Sequence, residues 1–366
     1  MVNTQQLSIN DLQTYTLQEL KLVADYLQLK PTLSIKESLV QIAQKLSKQY
    51  NNAQMPDLIS GPRIDNTFFD NYVEGEVIGQ GGIGSISLIT NKTTGKQFAL
   101  KTINKKALEG QKPTLIKGVN IVNNLSYGNN CNKYIICYKD FFTANGEWYI
   151  VMEYIKGVSF EDMLWDRNLP EMPDSPEKWR EIILSVFTVL AEMHNQNIVH
   201  RDIKPANLMM RSDNHQPVFI DFDSACSTNV PQLLCHGLFG SIIYFAPEIA
   251  ELIGGVPSDM NIWKKADVWS LALTLLTIIT GYNIIDLELD DEDTGVLISN
   301  ILTKYAECTE SIFELFPQYL GASGMSKKVL KEEIDKDTNT VLHGALMCDP
   351  DKRMSAQEVV DYLTKK

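Results

Sequence analysis

Three polar side chains at fixed offsets, Asp202, Lys204 and Asn207, sit in the run VHRDIKPANLMM between apolar flanks. Moving a phosphoryl group from a nucleotide to a hydroxyl needs such a set. A carboxylate takes the hydroxyl proton, a cation neutralises charge on the transferring group, and an oxygen donor holds a divalent metal. The bland alternative is a solvated charged loop, but that spacing within apolar flanks is a poor match to chance.

Two further motifs supply what such chemistry lacks. Upstream, EVIGQGGIGSISLIT carries Gly79, Gly81 and Gly84, followed by Ile86. A GxGxxG run is weak evidence alone, because it also opens dinucleotide folds. Here Val77 and Ile78 precede it and Ile86, Leu88 and Ile89 follow, so it reads as a hairpin between strands. Glycines at such a turn let backbone amides close over phosphates without a Cβ in the way. Downstream, VFIDFDSA places Asp221 at the end of an apolar strand, where a carboxylate can chelate a divalent ion against phosphates.

The elements that position these groups follow in one order. FALK (Phe98–Lys101) comes after the hairpin, and WYIVMEYIKG (Trp148–Gly157) is an apolar strand running into a polar joint. GSIIYFAPE (Gly240–Glu248), KADVWSLALTLLTIITG and DPDKRMSAQEV then close the series. From about Phe69 to Leu363 the chain resembles the eukaryotic-type protein kinases, and Lys204, two residues after Asp202, resembles the serine/threonine branch. The resemblance implies an α+β fold of two lobes, a small β-rich N-lobe (about 69–153) and a larger helical C-lobe (about 157–366). It also implies ATP and Mg2+ (or Mn2+) as cofactors, with protein hydroxyls as acceptors.

The resemblance further assigns roles. Asp202, Lys204 and Asn207 would be catalytic, with Asn207 and Asp221 holding metal. Ile78, Gly79, Gly81, Gly84, Ile86, Ala99, Lys101, Met152, Glu153 and Ile155 would bind the nucleotide: Ala99 in the adenine slot, Lys101 on the α- and β-phosphates, Met152 guarding the back pocket, and the backbone of Glu153 and Ile155 at the adenine edge. Ser241 would sit against Asp202 and Lys204, Glu248 would pair with a buried Arg353, and Asp267 would cap backbone amides of the catalytic loop. His200 reads as packed and structural. Arg201 would meet an activation-segment phosphate on Ser224, Ser227 or Thr228; the apolar run Val230, Leu233, Leu234, Leu238 and Phe239 is the alternative means of ordering that segment.

Three departures stand out. The family's next helix carries a glutamate for Lys101, but with Ile121, Val122 and Leu125 as its apolar face that slot falls on Gly118. Asn120 lies one notch away, Glu109 follows Lys101 too closely, and no acid occurs between Gly110 and Lys139. Asp223 replaces the glycine of Asp-Phe-Gly and adds a carboxylate near the metal. Ala272 stands where glycine is common. With the direct chemical groups complete, an active, atypical serine/threonine kinase is favoured over a nucleotide-binding pseudokinase scaffold or adaptor. A small-molecule kinase is the third reading, and GSIIYFAPE argues against it.

The chain has 366 residues and a formal net charge of −13. That charge disfavours broad nucleic-acid binding and favours basic protein substrates. Six cysteines without CxxC spacing fit a reducing compartment better than a disulfide framework. A redox switch at Cys226 and Cys235, both in the expected activation segment, is a minor alternative. The chain opens with no signal segment, and Val2 excludes the N-terminal glycine lipid signal, so the expectation is cytoplasm, with the nucleus open and no membrane.

Residues 1–55 carry two apolar repeats at helical intervals. Leu12, Leu17, Leu20, Val23, Ala24 and Leu27 form one, and Leu33, Ile35, Leu39, Ile42, Ala43 and Leu46 the other, after Pro31. Thr16 and Glu19 fit a capping box. This helical hairpin resembles the SAP-type helix-extended-helix module, which often contacts DNA. Its lysines (Lys21, Lys30, Lys36, Lys45, Lys48) are matched by Asp11, Glu19, Asp25, Glu37 and Asp57. Without a basic surplus, a docking role for a protein partner is favoured over nucleic acid. Residues 56–68 read as a linker and 69–366 as the catalytic domain.

Overall fold

The computed structural model describes residues 62–81, 84–103, 112–126, 131–228, 235, 241–250, 259–281, 303–305, 307–315 and 334–365. The expected N-terminal hairpin, Glu109, Gly110 and the apolar run 230–239 (Cys235 apart) lie outside the described residues. The chain divides into two compact units, one built on a β-sheet and one mostly helical.

The sheet of the first unit contains β1 (Arg63–Ile64), β2 (Tyr72–Gly81), β3 (Gly84–Asn91), β4 (Gln97–Ile103), β5 (Tyr138–Ala144) and β6 (Glu147–Glu153), in the order β1-β5-β6-β4-β3-β2. Pairing is antiparallel except between β1 and β5. β5 and β6 join through Asn145 and Gly146, at φ 52° and 81°. Two left-handed residues make the turn whose twist suits a two-residue hairpin, which is why Asn-Gly stands there.

Residues expected in the linker belong to this sheet. β1 covers the β5 edge, and Arg63 forks onto Asp140 while also reaching Asp65. In the 3-10 turn Phe68–Asn71, Phe68 is buried, stacked on Tyr72 at 4.4 Å and tilted against Phe142 at 4.2 Å. It shares a core with Ile89, Leu100, Phe142, Ala144 and Val151. Covering an edge in this way removes a pairing template for foreign strands. Helix α1 (Lys112–Leu125) also belongs mainly to this unit and buries Leu115, Val119, Ile121 and Val122.

Residues 125–137 open the second unit, where Ile136 N–H donates to Phe219 O and Phe219 N–H to Tyr134 O. After the joint come β7 (Gly157–Ser159), α2 (Phe160–Trp165), α3 (Pro176–Asn195), β8 (Ile198–Val199), β9 (Leu208–Arg211), β10 (Pro217–Phe219) and β11 (Cys226–Ser227). Helices α4 (Pro247–Ala250), α5 (Met260–Thr280), α6 (Ile312–Leu315), α7 (Lys336–Ala345) and α8 (Ala356–Thr364) follow. From Ala266 to Thr280 every residue of helix α5 but Ser270 is buried, and that stretch is apolar nearly all round, as a helix enclosed by its neighbours should be. Asp259 caps its start, Gly281 at φ 86° ends it, and the Arg167 guanidinium donates to the carbonyls of Ile278 and Ile279. Among the described residues no helix is long and apolar enough to cross a membrane.

The cysteine expectation is corrected here. Cys131 pairs with Cys137 and Cys308 with Cys348, at Cα separations of 5.4 and 6.0 Å, and no described cysteine is free. Spacing along the chain missed both pairs, since neither is a CxxC and one bridges 40 residues that only the fold brings together.

Arg180 of α3 ties two later helices together, donating to Asp335 and to Leu363 O. Asp335 also caps α7 by accepting from Thr338 N–H at 2.6 Å. Burial alone would raise this carboxyl, but hydrogen bonds from Thr338 and Arg180 hold it below its ordinary value. Its stabilisation is therefore full above the unfolded carboxylate pKa and is lost as pH falls through the lower folded value. Asp335→Ala should cost about 1–2 kcal/mol in urea unfolding at pH 7. The gap from wild type should close as the pH falls below about 4; a gap that persists there would contradict this assignment.

Candidate active site

The site grows from a loop that the helical unit holds from beneath. Asp267, on α5 and 2 % exposed, receives the backbone N–H of His200 (2.7 Å) and of Arg201 (2.8 Å), with His194 Nε2 3.2 Å away. Arg201 has φ +66°, a conformation that a side-chain-bearing residue holds only when its surroundings insist. The Asp267 carboxylate supplies that insistence. His200 is fully buried, its ring 4.7 Å from Phe222 and its Nε2 3.2 Å from Ile220 O, so it packs as expected.

On this footing the three polar residues converge. Asn207 Nδ2 donates to Asp202 Oδ2 (2.9 Å) and to the Asp202 carbonyl (2.8 Å). Lys204 Nζ lies 3.1 Å from Asp202 Oδ2 and donates to Ser241 Oγ at 3.0 Å. Ser241 N–H donates to Asp202 Oδ1 at 3.1 Å. Both oxygens of one carboxylate are thus fixed in direction, and a lysine and a serine hydroxyl share its front. Such preorganisation lets a carboxylate accept a proton without first reorienting.

Asn207 O accepts from Ile220 N–H at 3.0 Å, and β9 pairs with β10 in the register Leu208↔Phe219. This ladder carries Asp221, two residues past β10, back to the level of Asn207. Asp221 itself has φ +57°. Asp223 is not among the positive-φ residues, so an aspartate stands in the glycine's place without backbone strain. The left-handed residue of this turn is the proposed metal ligand.

The sheet unit places the other expected residues on adjacent strands. Gly79 pairs with Ile86, Ile86 with Lys101, Ala99 with Met152, and Phe98 with Glu153. Gly81 faces Gly84 at the hairpin end. A Cβ on Gly84 would lie 1.9 Å from Thr102 O, so only glycine fits. Ile78 is 41 % exposed at the start of this surface, whereas Lys101 and Met152 are both buried. Ile155 is buried and begins the stretch 155–229 of the helical unit. Helix α1 carries buried Lys117, Gly118 and Asn120 and no acidic residue.

A protein kinase domain model matches residues 72–363. The chain belongs to that family. Its two-lobed α+β architecture is the kinase fold. Among curated proteins, this kinase domain is 26 % identical over 306 residues to maternal embryonic leucine zipper kinase of Danio rerio, covering 82 % of this chain and 38 % of that one. It is 27 % identical over 295 residues to a probable serine/threonine-protein kinase of Dictyostelium discoideum (80 % and 30 %). With a MAP kinase-interacting serine/threonine-protein kinase of Caenorhabditis elegans it shares 29 % over 243 residues (62 % and 33 %). The chain thus spans well under half the length of these relatives.

Two supports of the kinase site escaped the sequence reading. His194 joins the Asp267 cluster from the last turn of α3, and its position six residues before His200 was the available signal. Trp263 lies under the Arg201 guanidinium, at 5.2 Å from the ring centre. Nothing local in the sequence pairs those two residues.

Proposed function

We propose that this chain is an ATP- and magnesium-dependent protein kinase acting on serine and threonine hydroxyls. The observation that carries the reading is the Asp202–Asn207–Lys204–Ser241 constellation. Asp202, aimed by Asn207 and Ser241, accepts the proton of the incoming hydroxyl, and Lys204 neutralises charge on the transferring phosphoryl. Asn207 and Asp221 offer a metal the oxygen donors that magnesium prefers. When bound, that ion would supply charge neutralisation for the phosphoryl transfer.

Lys101 serves the α- and β-phosphates. The glycines of β2 and β3 cover the triphosphate, and Ile78, Ile86, Ala99 and Met152 enclose the base, with the Glu153 and Ile155 backbone at its edge. A net charge of −13 suits basic protein substrates. The N-terminal hairpin is read as a docking module, and the cytoplasm, with access to the nucleus, as the location.

Transfer from radiolabelled ATP to a generic basic protein tests this. Lys101→Met should reduce transfer on the order of 10²–10³-fold, the usual effect of removing one donor from a developing charge. Equal rates for wild type and Lys101→Met would count against the reading. The acid-free helix α1 favours one competitor, a nucleotide-binding scaffold. Under that reading ATP and magnesium raise the melting temperature while no transfer occurs.

A further inference from the structure

The stretch 241–248 begins at the reacting carboxylate, since Ser241 N–H donates to Asp202 and the Ser241 hydroxyl accepts from Lys204. A hydroxyl that reaches Asp202 does so beside this stretch. Three side chains from elsewhere in the helical unit support it. Ser270 of helix α5 donates to the Tyr244 carbonyl at 2.7 Å. Tyr305, 3 % exposed, donates to the Phe245 carbonyl at 3.0 Å. Arg353 forks onto Glu248.

The last two supports are joined by a covalent bond. The Tyr305 carbonyl accepts from Cys308 N–H at 3.0 Å, so both residues share one turn. Cys308 is bonded to Cys348, and the Cys348 carbonyl accepts from Arg353 at 3.2 Å. The backbone repeats the join: Cys348 N–H donates to Glu310 O, and Ser311 pairs with Met347 across a β-bridge. Trp269 touches both supports, with the Tyr305 ring edge-on at 5.8 Å and the Arg353 guanidinium at 5.0 Å. The path Phe245–Tyr305–Cys308–Cys348–Arg353–Glu248 therefore leaves the stretch 241–248 and returns to it.

We propose that the Cys308–Cys348 disulfide positions the stretch 241–248 for protein substrates, and that a dithiol reductant weakens their binding by opening it. This rests on the phosphotransfer reading above and names an element that sets substrate affinity at that site. A thiolate of the dithiol attacks the half-buried Cys308 Sγ, the S–S bond breaks, and Cys348 leaves as a thiolate that takes up a proton. The second thiol of the reductant then displaces Cys308. The protein gains two electrons and two protons as a pair of thiols, and the reductant departs as its own disulfide. Tyr305 and Arg353 are then no longer tied through sulfur, while Ser270 still holds Tyr244. The stretch loosens without leaving Asp202, so substrate binding weakens more than transfer does.

Peptide mapping of the full chain without reductant should recover Cys308 linked to Cys348; free thiols at both positions would overturn the proposal. Dithiothreitol, with alkylation confirming that the bond is open, should raise KM for a basic protein about three- to tenfold, the effect of losing roughly one hydrogen bond. Both kcat and KM for ATP should stay within about twofold. Cys308→Ser should show the raised KM with or without reductant. Tyr305→Phe keeps the disulfide but removes the Phe245 support, so it should show a raised KM and respond less to reductant than wild type. A wild-type KM indifferent to reduction contradicts the proposal, as does an equal rise in Cys308→Ser, which would trace the effect to another bond. If wild type shows no Asp202-dependent transfer, the phosphotransfer reading fails instead. Amide exchange over residues 242–248 then decides the bridge by itself. Faster exchange on reduction in wild type but not in Cys308→Ser supports it, and unchanged exchange overturns it.

Discussion

Asp202→Asn is expected to lower phosphoryl transfer by about 10³-fold, within the range for loss of a general base, while leaving nucleotide binding largely intact. The geometry explains why so small a change matters. Asp202 Oδ2 faces two donors, Asn207 Nδ2 and Lys204 Nζ, and Oδ1 faces a third, the Ser241 N–H. An amide in this place presents its own N–H₂ to at least one of those donors. The substitution therefore removes the proton acceptor and also turns the loop's aim. The check is a paired measurement of initial rate and of the melting-temperature rise with ATP and magnesium. Loss of both together would mean that Asp202 serves the fold rather than the transfer.

Arg353→Met should destabilise the helical unit by about 3–5 kcal/mol, the usual result of stripping one partner from a buried ion pair. Arg353 is fully buried and forks onto Glu248, with Nη–O distances of 2.6 and 2.9 Å. It also donates to the carbonyls of Met347, Lys265 and Cys348, and lies 5.0 Å over the Trp269 ring. Methionine restores volume but no donor, leaving a nearly buried carboxylate and three carbonyls with less than they need. Arg353→Lys should recover only part of the loss, because an ammonium cannot fork. Chemical unfolding reads both variants, and a cost under about 1 kcal/mol for Arg353→Met would place this pair in the weak, solvated class.

The difference between what the sequence disclosed and what it hid follows from distance along the chain. Asp202, Lys204 and Asn207 are within five residues, so their spacing alone indicated a shared front, and in the structure Asn207 hydrogen-bonds to Asp202 while Lys204 forms an ion pair with it. Ser241, Asp267 and the Glu248–Arg353 pair became legible only through motif order, and the structure has each where that order put it. The Gly-rich run read as a hairpin because strand residues flank it, and β2 and β3 do pair there.

What escaped depends on contacts that no local pattern encodes. Phe68 looks like linker until Tyr72 and Phe142 close on it. Cys308 and Cys348 are far apart in sequence and adjacent in space. The apolar surroundings of Arg201 come from α5 and from the stretch before it, so a residue that reads as charged and available is in fact enclosed. The departure at Asp223 also reads differently in three dimensions, since the left-handed turn falls on Asp221.

Phosphoamino-acid analysis of a basic protein incubated with wild-type chain, γ-labelled ATP and magnesium tests the central claim most directly. Acid-stable label in phosphoserine and phosphothreonine, absent with Asp202→Asn, is the predicted result. A chain whose melting temperature rises with ATP and magnesium, yet which leaves no label on any hydroxyl, would contradict it.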